Sequence, residues 1–117
     1  AKIVNVGIEF SIVTKAEVNN YDVLQEAIET LAAKYANPLY IGEPLYITDI
    51  YSTLNHDVAG VADVKTVKIT NKTGGKYSRV SFNIEENKSA DGRYIIVPEN
   101  VAFEIKYPKI DIKGSVV

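Results

Sequence analysis

From Val4 to Ile12, Val4, Val6, Ile8, Phe10 and Ile12 alternate with Asn5, Gly7, Glu9 and Ser11. An apolar residue at every second position is the period of a strand with one buried face. Such a strand cannot stand alone. It needs hydrogen-bonded neighbours on its edges and a second layer over its apolar face, and the rest of the chain must supply both. The chain has the means to do so: at 117 residues it is the size of one domain, and 46% hydrophobic residues suffice for one core.

The covering layer is legible just downstream. Asp22 with Gln25 three residues later has the form of a capping box, and Val23, Leu24, Ala27, Ile28, Leu31 and Tyr35 recur at helical spacing. This predicts an amphipathic helix to about Ala36, ended by Asn37-Pro38. A second helix is expected from Pro44, with Ile47, Ile50, Tyr51, Leu54 and Val58 as its apolar stripe and Gly60 as its stop.

Beyond Gly60 the period returns to two. Strands are expected over Val61 to Thr70 and Lys76 to Ile84, joined as a hairpin through Asn71-Lys72-Thr73-Gly74-Gly75. Val64, Val67 and Ile69 cannot share one face of a flat strand, which predicts a bulge near Lys65 or Thr66. After a turn at Asp91-Gly92, Arg93 to Val97 reads as a short strand, and Val101 to Tyr107 as the last long one before Pro108. The expected fold is α+β and two-layered: one strand, two helices, then an antiparallel meander, with the helices on one face of a mixed sheet. The domain is expected to span residues 1–108, with 109–117 as an extended C-terminal tail whose Ile110 and Ile112 dock on this domain or on a partner.

Function classes narrow by composition. A net charge of -2 with interspersed signs offers no basic stripe for phosphates, so nucleic acid is not an expected partner. No apolar run approaches the roughly 20 residues of a bilayer span, and Ala1-Lys2-Ile3-Val4-Asn5 lacks a signal-peptide core, so no membrane partner and no secretory route are expected. The absence of cysteine removes disulfides, thiol nucleophiles and thiolate metal sites. Methionine is absent too, even at position 1, which suggests a processed start or a piece of a larger protein.

Individual candidates for chemistry each have a plainer explanation. His56, the sole histidine, adjoins Asp57, but a cation at a helix end is favoured by the dipole and no second histidine completes a metal site. Thr73-Gly74-Gly75-Lys76 has the glycines of a phosphate cradle without its spacing or a following helix, and a hairpin turn uses the same residues. Glu85, Glu86 and Asp91 match no calcium loop and lie among Lys88 and Arg93. Ser52 and Ser81 have no evident base beside them in sequence. Asn71-Lys72-Thr73 and Asn87-Lys88-Ser89 are formal glycosylation sequons that only a secretory route would use. No catalytic residue, metal, cofactor or small-molecule substrate is therefore expected.

Eight tyrosines against three phenylalanines and no tryptophan give apolar area with polar tips, a composition suited to interfaces. Tyr40, Tyr46 and Tyr51 cluster about the second helix, where they either cap the core edge or face a partner. The stretch Tyr40-Ile41-Gly42-Glu43-Pro44-Leu45-Tyr46-Ile47-Thr48-Asp49-Ile50-Tyr51, followed by Val58-Ala59-Gly60-Val61-Ala62-Asp63-Val64, resembles the C-terminal part of J-like baseplate wedge proteins of contractile-tailed phages. That resemblance implies a non-enzymatic structural module in a virion tail baseplate assembled in the host cytoplasm. Its partners would be other baseplate subunits, including further copies of itself, in a ring around a central hub. Family members are longer, so it also implies a C-terminal portion of such a chain. Tyr46, Tyr51, Ile110 and Ile112 are the expected contacts. The alternative is a small ligand-binding or regulatory domain of a larger bacterial protein, using a groove between helices and sheet; an enzyme built around His56 ranks third.

Overall fold

The alternating segment becomes the longest strand, β1 (Lys2–Thr14), and every other strand of the main sheet pairs with it. The computed structural model describes residues 2–117. After β1 come α1 (Asn20–Lys34), β2 (Leu45–Tyr46), α2 (Ile47–His56), β3 (Val61–Lys72), β4 (Tyr94–Ile95), β5 (Val101–Glu104), the one-turn α3 (Pro108–Asp111) and β6 (Ile112–Val116). The fold is α+β, with the two long helices packed on a mixed sheet. Val4, Val6, Ile8, Phe10 and Ile12 of β1 join Val23, Ala27 and Leu31 of α1 and Ile47, Ile50 and Leu54 of α2 in one core.

β3 runs antiparallel to β1 from Asn5↔Lys72 to Thr14↔Val61. Its register slips where Ser11 faces Thr66 but Ile12 faces Val64, leaving Lys65 as the extra residue of the expected bulge. A second slip leaves Ala62 over. On the other edge of β1 the meander gives way to parallel pairing. β5 lies along Lys2 to Asn5 and β6 along Ile8 to Ile12, end to end. Residues 112–116 are thus a strand of the sheet and not a free tail. The β6 register runs five residues ahead of a straight continuation of β5, and the surplus is looped out around the four-residue α3.

Other expectations shift for local reasons. The cap of α1 is Asn19, with extended backbone and its side chain accepting from the Asp22 amide at 3.0 Å; Asp22 falls in the first turn, where the dipole favours it. Pro44 does not open α2, because Leu45–Tyr46 first pairs with Tyr94–Ile95 in a small antiparallel sheet. The Arg93 carbonyl then accepts from the Ile47 and Thr48 amides at 2.8 and 3.2 Å, doing the work of the side-chain cap that Tyr46 lacks. Gly60 is a packing residue: a Cβ there would run into the Val23 side chain of α1.

The expected strand over Lys76 to Ile84 does not form. Side chains take the amides a ladder would have used: the Ser78 amide donates to Asn5 Oδ1 at 2.6 Å and the Phe82 amide to Asn71 Oδ1 at 2.9 Å. Val80, Phe82 and Ile84 still pack on the core, Phe82 meeting Phe103 edge-on at 5.4 Å. The expected strand over Arg93 to Val97 contracts to Tyr94–Ile95, with a single bridge from Lys88 to Ile95 across the Asp91-Gly92 turn.

Asn5, on the opposite face of β1 from the helices, is buried and hydrogen-bonded through both its side chain and its backbone. Its Nδ2 donates to Glu104 Oε1 at 2.8 Å, its Oδ1 holds Ser78, and its carbonyl accepts from Asn71 Nδ2 at 3.0 Å. Asn5→Ala is expected to lower unfolding free energy by about 1–3 kcal/mol, since it strands buried groups. Denaturant titration checks the loss, and limited proteolysis is expected to cut first within residues 73–84. Gly114 tests packing on the other face, because a side chain there would overlap the Phe10 ring. Gly114→Val is expected to cost about 1–3 kcal/mol by overpacking, read as a lower denaturation midpoint with unchanged slope.

Candidate interaction surface

The looped-out residues build a raised feature flanked by two clefts. Pro108 begins α3, its fixed φ suiting the first helical turn. Because α3 is extruded from the sheet, its middle faces solvent: Ile110 is 63% exposed, whereas Ile112, two residues on and back in the ladder, is 2% exposed. Of the two isoleucines expected to dock, Ile112 docks on its own domain and Ile110 remains outward.

Ile110 borders a cleft of about 620 Å³ between α3 and the second half of α1. Ala32, Ala33 and Ala36 form one wall and Tyr107, Pro108 and Ile110 the other; Glu29, Lys106 and Lys109 supply its charge. On the far side of Tyr107 and Ile110 lies a second cleft of about 480 Å³, lined by Thr73 to Tyr77. Since Tyr107 and Ile110 line both, α3 stands as a ridge between two hollows.

The ridge is braced from below. Tyr77 Oη donates to Asp111 Oδ1 at 2.7 Å, and the Tyr77 and Tyr107 rings meet edge-on at 5.7 Å. Asp111 is itself buried, its backbone carbonyl against Gly7 of β1, where a Cβ would come within 2.9 Å of it. Lys106 Nζ donates to the Lys76 carbonyl, tying the glycine-rich turn to the same ridge. The 73–76 segment is thus a turn with left-handed glycines, Gly74 and Gly75, and no helix follows it.

The tyrosine cluster divides. Tyr51 packs against the core, while Tyr46 is 43% exposed and lies 5.5 Å from the Tyr94 ring. Tyr40 is 85% exposed, next to an exposed Ile41. Sequence reasoning passed over Ile41, Tyr107 and the alanine wall of α1; the signal available for the last was the pair Ala32-Ala33 followed by Ala36, small residues leaving a hollow on a helix face.

The candidates for chemistry are scattered. Ser52 Oγ lies 3.2 Å from His56 Nδ1 on the exposed face of α2, one helical turn apart, with no third group bonded to the ring among the described residues. No cluster of three or more His, Cys, Asp or Glu residues suits a metal among the described residues. The acidic 85–91 loop is internally paired: Glu85 meets Lys88 at 3.2 Å, and Asp91 Oδ1 accepts from Ser89 Oγ at 2.7 Å and from the Arg93 amide at 3.2 Å. Ser89 and the Arg93 amide hold the Asp91 carboxyl below its ordinary value. Among the described residues, no helix is long and apolar enough to cross a membrane. No protein-family model matches the chain, and comparison with curated proteins gives no match.

Two outcomes follow from this geometry. Ile112→Asp is expected to unfold the domain or cost several kcal/mol by burying a charge in the core, while Ile110→Asp leaves stability within about 0.5 kcal/mol; thermal denaturation separates them. The hydrogen bond to Asp111 raises the Tyr77 phenol above its ordinary value. A phenol raised in the folded state contributes stability that is complete below its unfolded value near pH ~10 and is lost as pH climbs through the folded value. Tyr77→Phe is expected to remove that part of the alkaline loss, measured by denaturant titration between neutral and strongly alkaline pH.

Proposed function

We propose that this chain is a structural assembly module that acts by holding protein surfaces together, in the manner of the baseplate wedge proteins of contractile-tailed phages that its sequence resembles. The observation that supports this most is the α3 ridge. A large aliphatic side chain, Ile110, is held out to solvent beside a hollow of alanine and proline, on a turn braced by the Tyr77–Asp111 hydrogen bond. Preformed apolar relief of this kind is suited to docking another protein, because little ordering remains to oppose binding.

Further support comes from the sheet. Across the face of β1 away from the helices, Glu9 lies between Lys68 and Lys113, and Ser11 between Thr66 and Ser115, a polar surface open over the second half of the strand. Tyr46, Tyr94 and the half-exposed Ile96 add an aromatic patch on the small sheet. The partners on this view are other baseplate subunits and further copies of the chain, and the role is not enzymatic.

The ligand-binding alternative would use the same α1–α3 cleft, whose volume is in the range of small-molecule sites. Its wall of alanines offers an apolar ligand few polar groups for orientation. Sedimentation velocity over a wide concentration range tests the assembly reading. Concentration-dependent association, weakened at least tenfold by Ile110→Asp in a folded protein, is the expected result. A chain that stays monomeric throughout and binds an apolar dye one-to-one in the cleft would favour the alternative.

A further inference from the structure

We propose that the occupant of the α1–α3 cleft is the 40–43 turn of a second copy of this chain. The inference rests on the assembly function proposed above and names the partner at its site. Turn tips are ordinarily polar, yet this one carries Tyr40, 85% exposed, and Ile41, 60% exposed. Nor is the tip loose. The Glu43 amide donates to the Tyr40 carbonyl at 3.0 Å around Gly42, whose φ of 78° suits the third position of a type II turn.

Three more hydrogen bonds fix the turn in place. The Leu39 amide donates to the Phe103 carbonyl at 2.9 Å and the Gly42 amide to the Val101 carbonyl at 2.8 Å, so the turn is stitched along β5. The Tyr40 amide donates to Glu43 Oε1 at 2.9 Å. Two adjacent large apolar side chains on a backbone already fixed form an anchor that binds at small entropic cost.

Charge indicates what receives it. Glu43 belongs to the turn, and Glu99 lies against Gly42, its Cα 3.7 Å from where a Cβ would sit. The tip is therefore apolar within an acidic surround. The cleft is apolar with Lys106 and Lys109 set against Glu29. Its volume, about 620 Å³, lies within the roughly 300–1,000 Å³ of pockets that enclose small ligands, room for a tyrosine and an isoleucine side chain. Complementary signs orient such a contact. Within one chain the turn is fastened to β5 and leaves the cleft open, so this tip can enter such a cleft only on another copy.

The test uses two variants at exposed positions, Ile41→Asp in the tip and Ala33→Glu in the cleft wall, each shown by circular dichroism to be folded. In sedimentation velocity each variant alone is expected to associate at least tenfold more weakly than the native chain. Mixed in equal amounts they are expected to recover a pair, because the first keeps an intact cleft and the second an intact tip. If the native chain associates and Ile110→Asp weakens it while Ile41→Asp does not, the tip is not the occupant, and the assembly function stands without this inference. Failure of the mixture to form a pair when both single variants are weakened also overturns it. A native chain that is monomeric up to about 1 mM, weaker than ~4 kcal/mol of association, overturns the inference and self-assembly together.

Discussion

Almost everything in this fold hangs on the two edges of β1. One edge is committed over nearly its whole length to β3, and the other is shared between β5 and β6, so the first strand of the sequence is the middle strand of the sheet. A central strand must satisfy its backbone on both sides, and from Val4 to Ile8 β1 buries both faces as well. The alternating residues meet the helices. On the opposite face Asn5 binds Glu104 and the 73–84 segment, and Gly7 leaves room for the Asp111 carbonyl. Replacing either would disturb three elements at once.

The proposed assembly surface follows from that constraint. β5 and β6 must both reach the same edge of β1, yet their registers differ by five residues, and the surplus is extruded as α3. Extrusion is why Ile110 is exposed while Ile105 and Ile112 on either side are buried. The same edge explains the Tyr40-Ile41 turn, since β5 has an outer side with free carbonyls, and the chain leaving α1 covers it through Leu39 and Gly42. Tip and cleft are by-products of finishing one edge of one sheet. The side chains of Tyr40, Ile41 and Ile110 point away from the core, and on the proposed function they serve a partner.

Local pattern carried much of this into the sequence. The alternation of β1, the stripe of α1 and the mismatch of Val64, Val67 and Ile69 that called for a bulge near Lys65 or Thr66 are each written within about a dozen residues, and the bulge falls at Lys65. What could not be read was set by distant groups. The 76–84 segment has a strand's alternation, but Asn5 and Asn71, far off in sequence, take its amides. Ile110 and Ile112 look alike in the sequence; which one is buried depends on the register against β1. Parallel pairing of β5 and β6 depends on where a long crossover returns, and no short pattern specifies that. The interface candidates fared accordingly: Ile110 and Tyr46 are exposed, Tyr51 packs on the core and Ile112 lies within it.

On the proposed function, α3 and the wall of α1 beside it are a surface for protein contact. Amide chemical shifts followed by NMR through a dilution series address this residue by residue. Concentration-dependent shifts are expected at residues 106–110, from Glu29 to Ala36 on the second half of α1 and just past its end, and in the 40–43 turn, with the far sheet face around Glu9 unchanged. Shifts absent at every concentration, or confined to that far face, would contradict it.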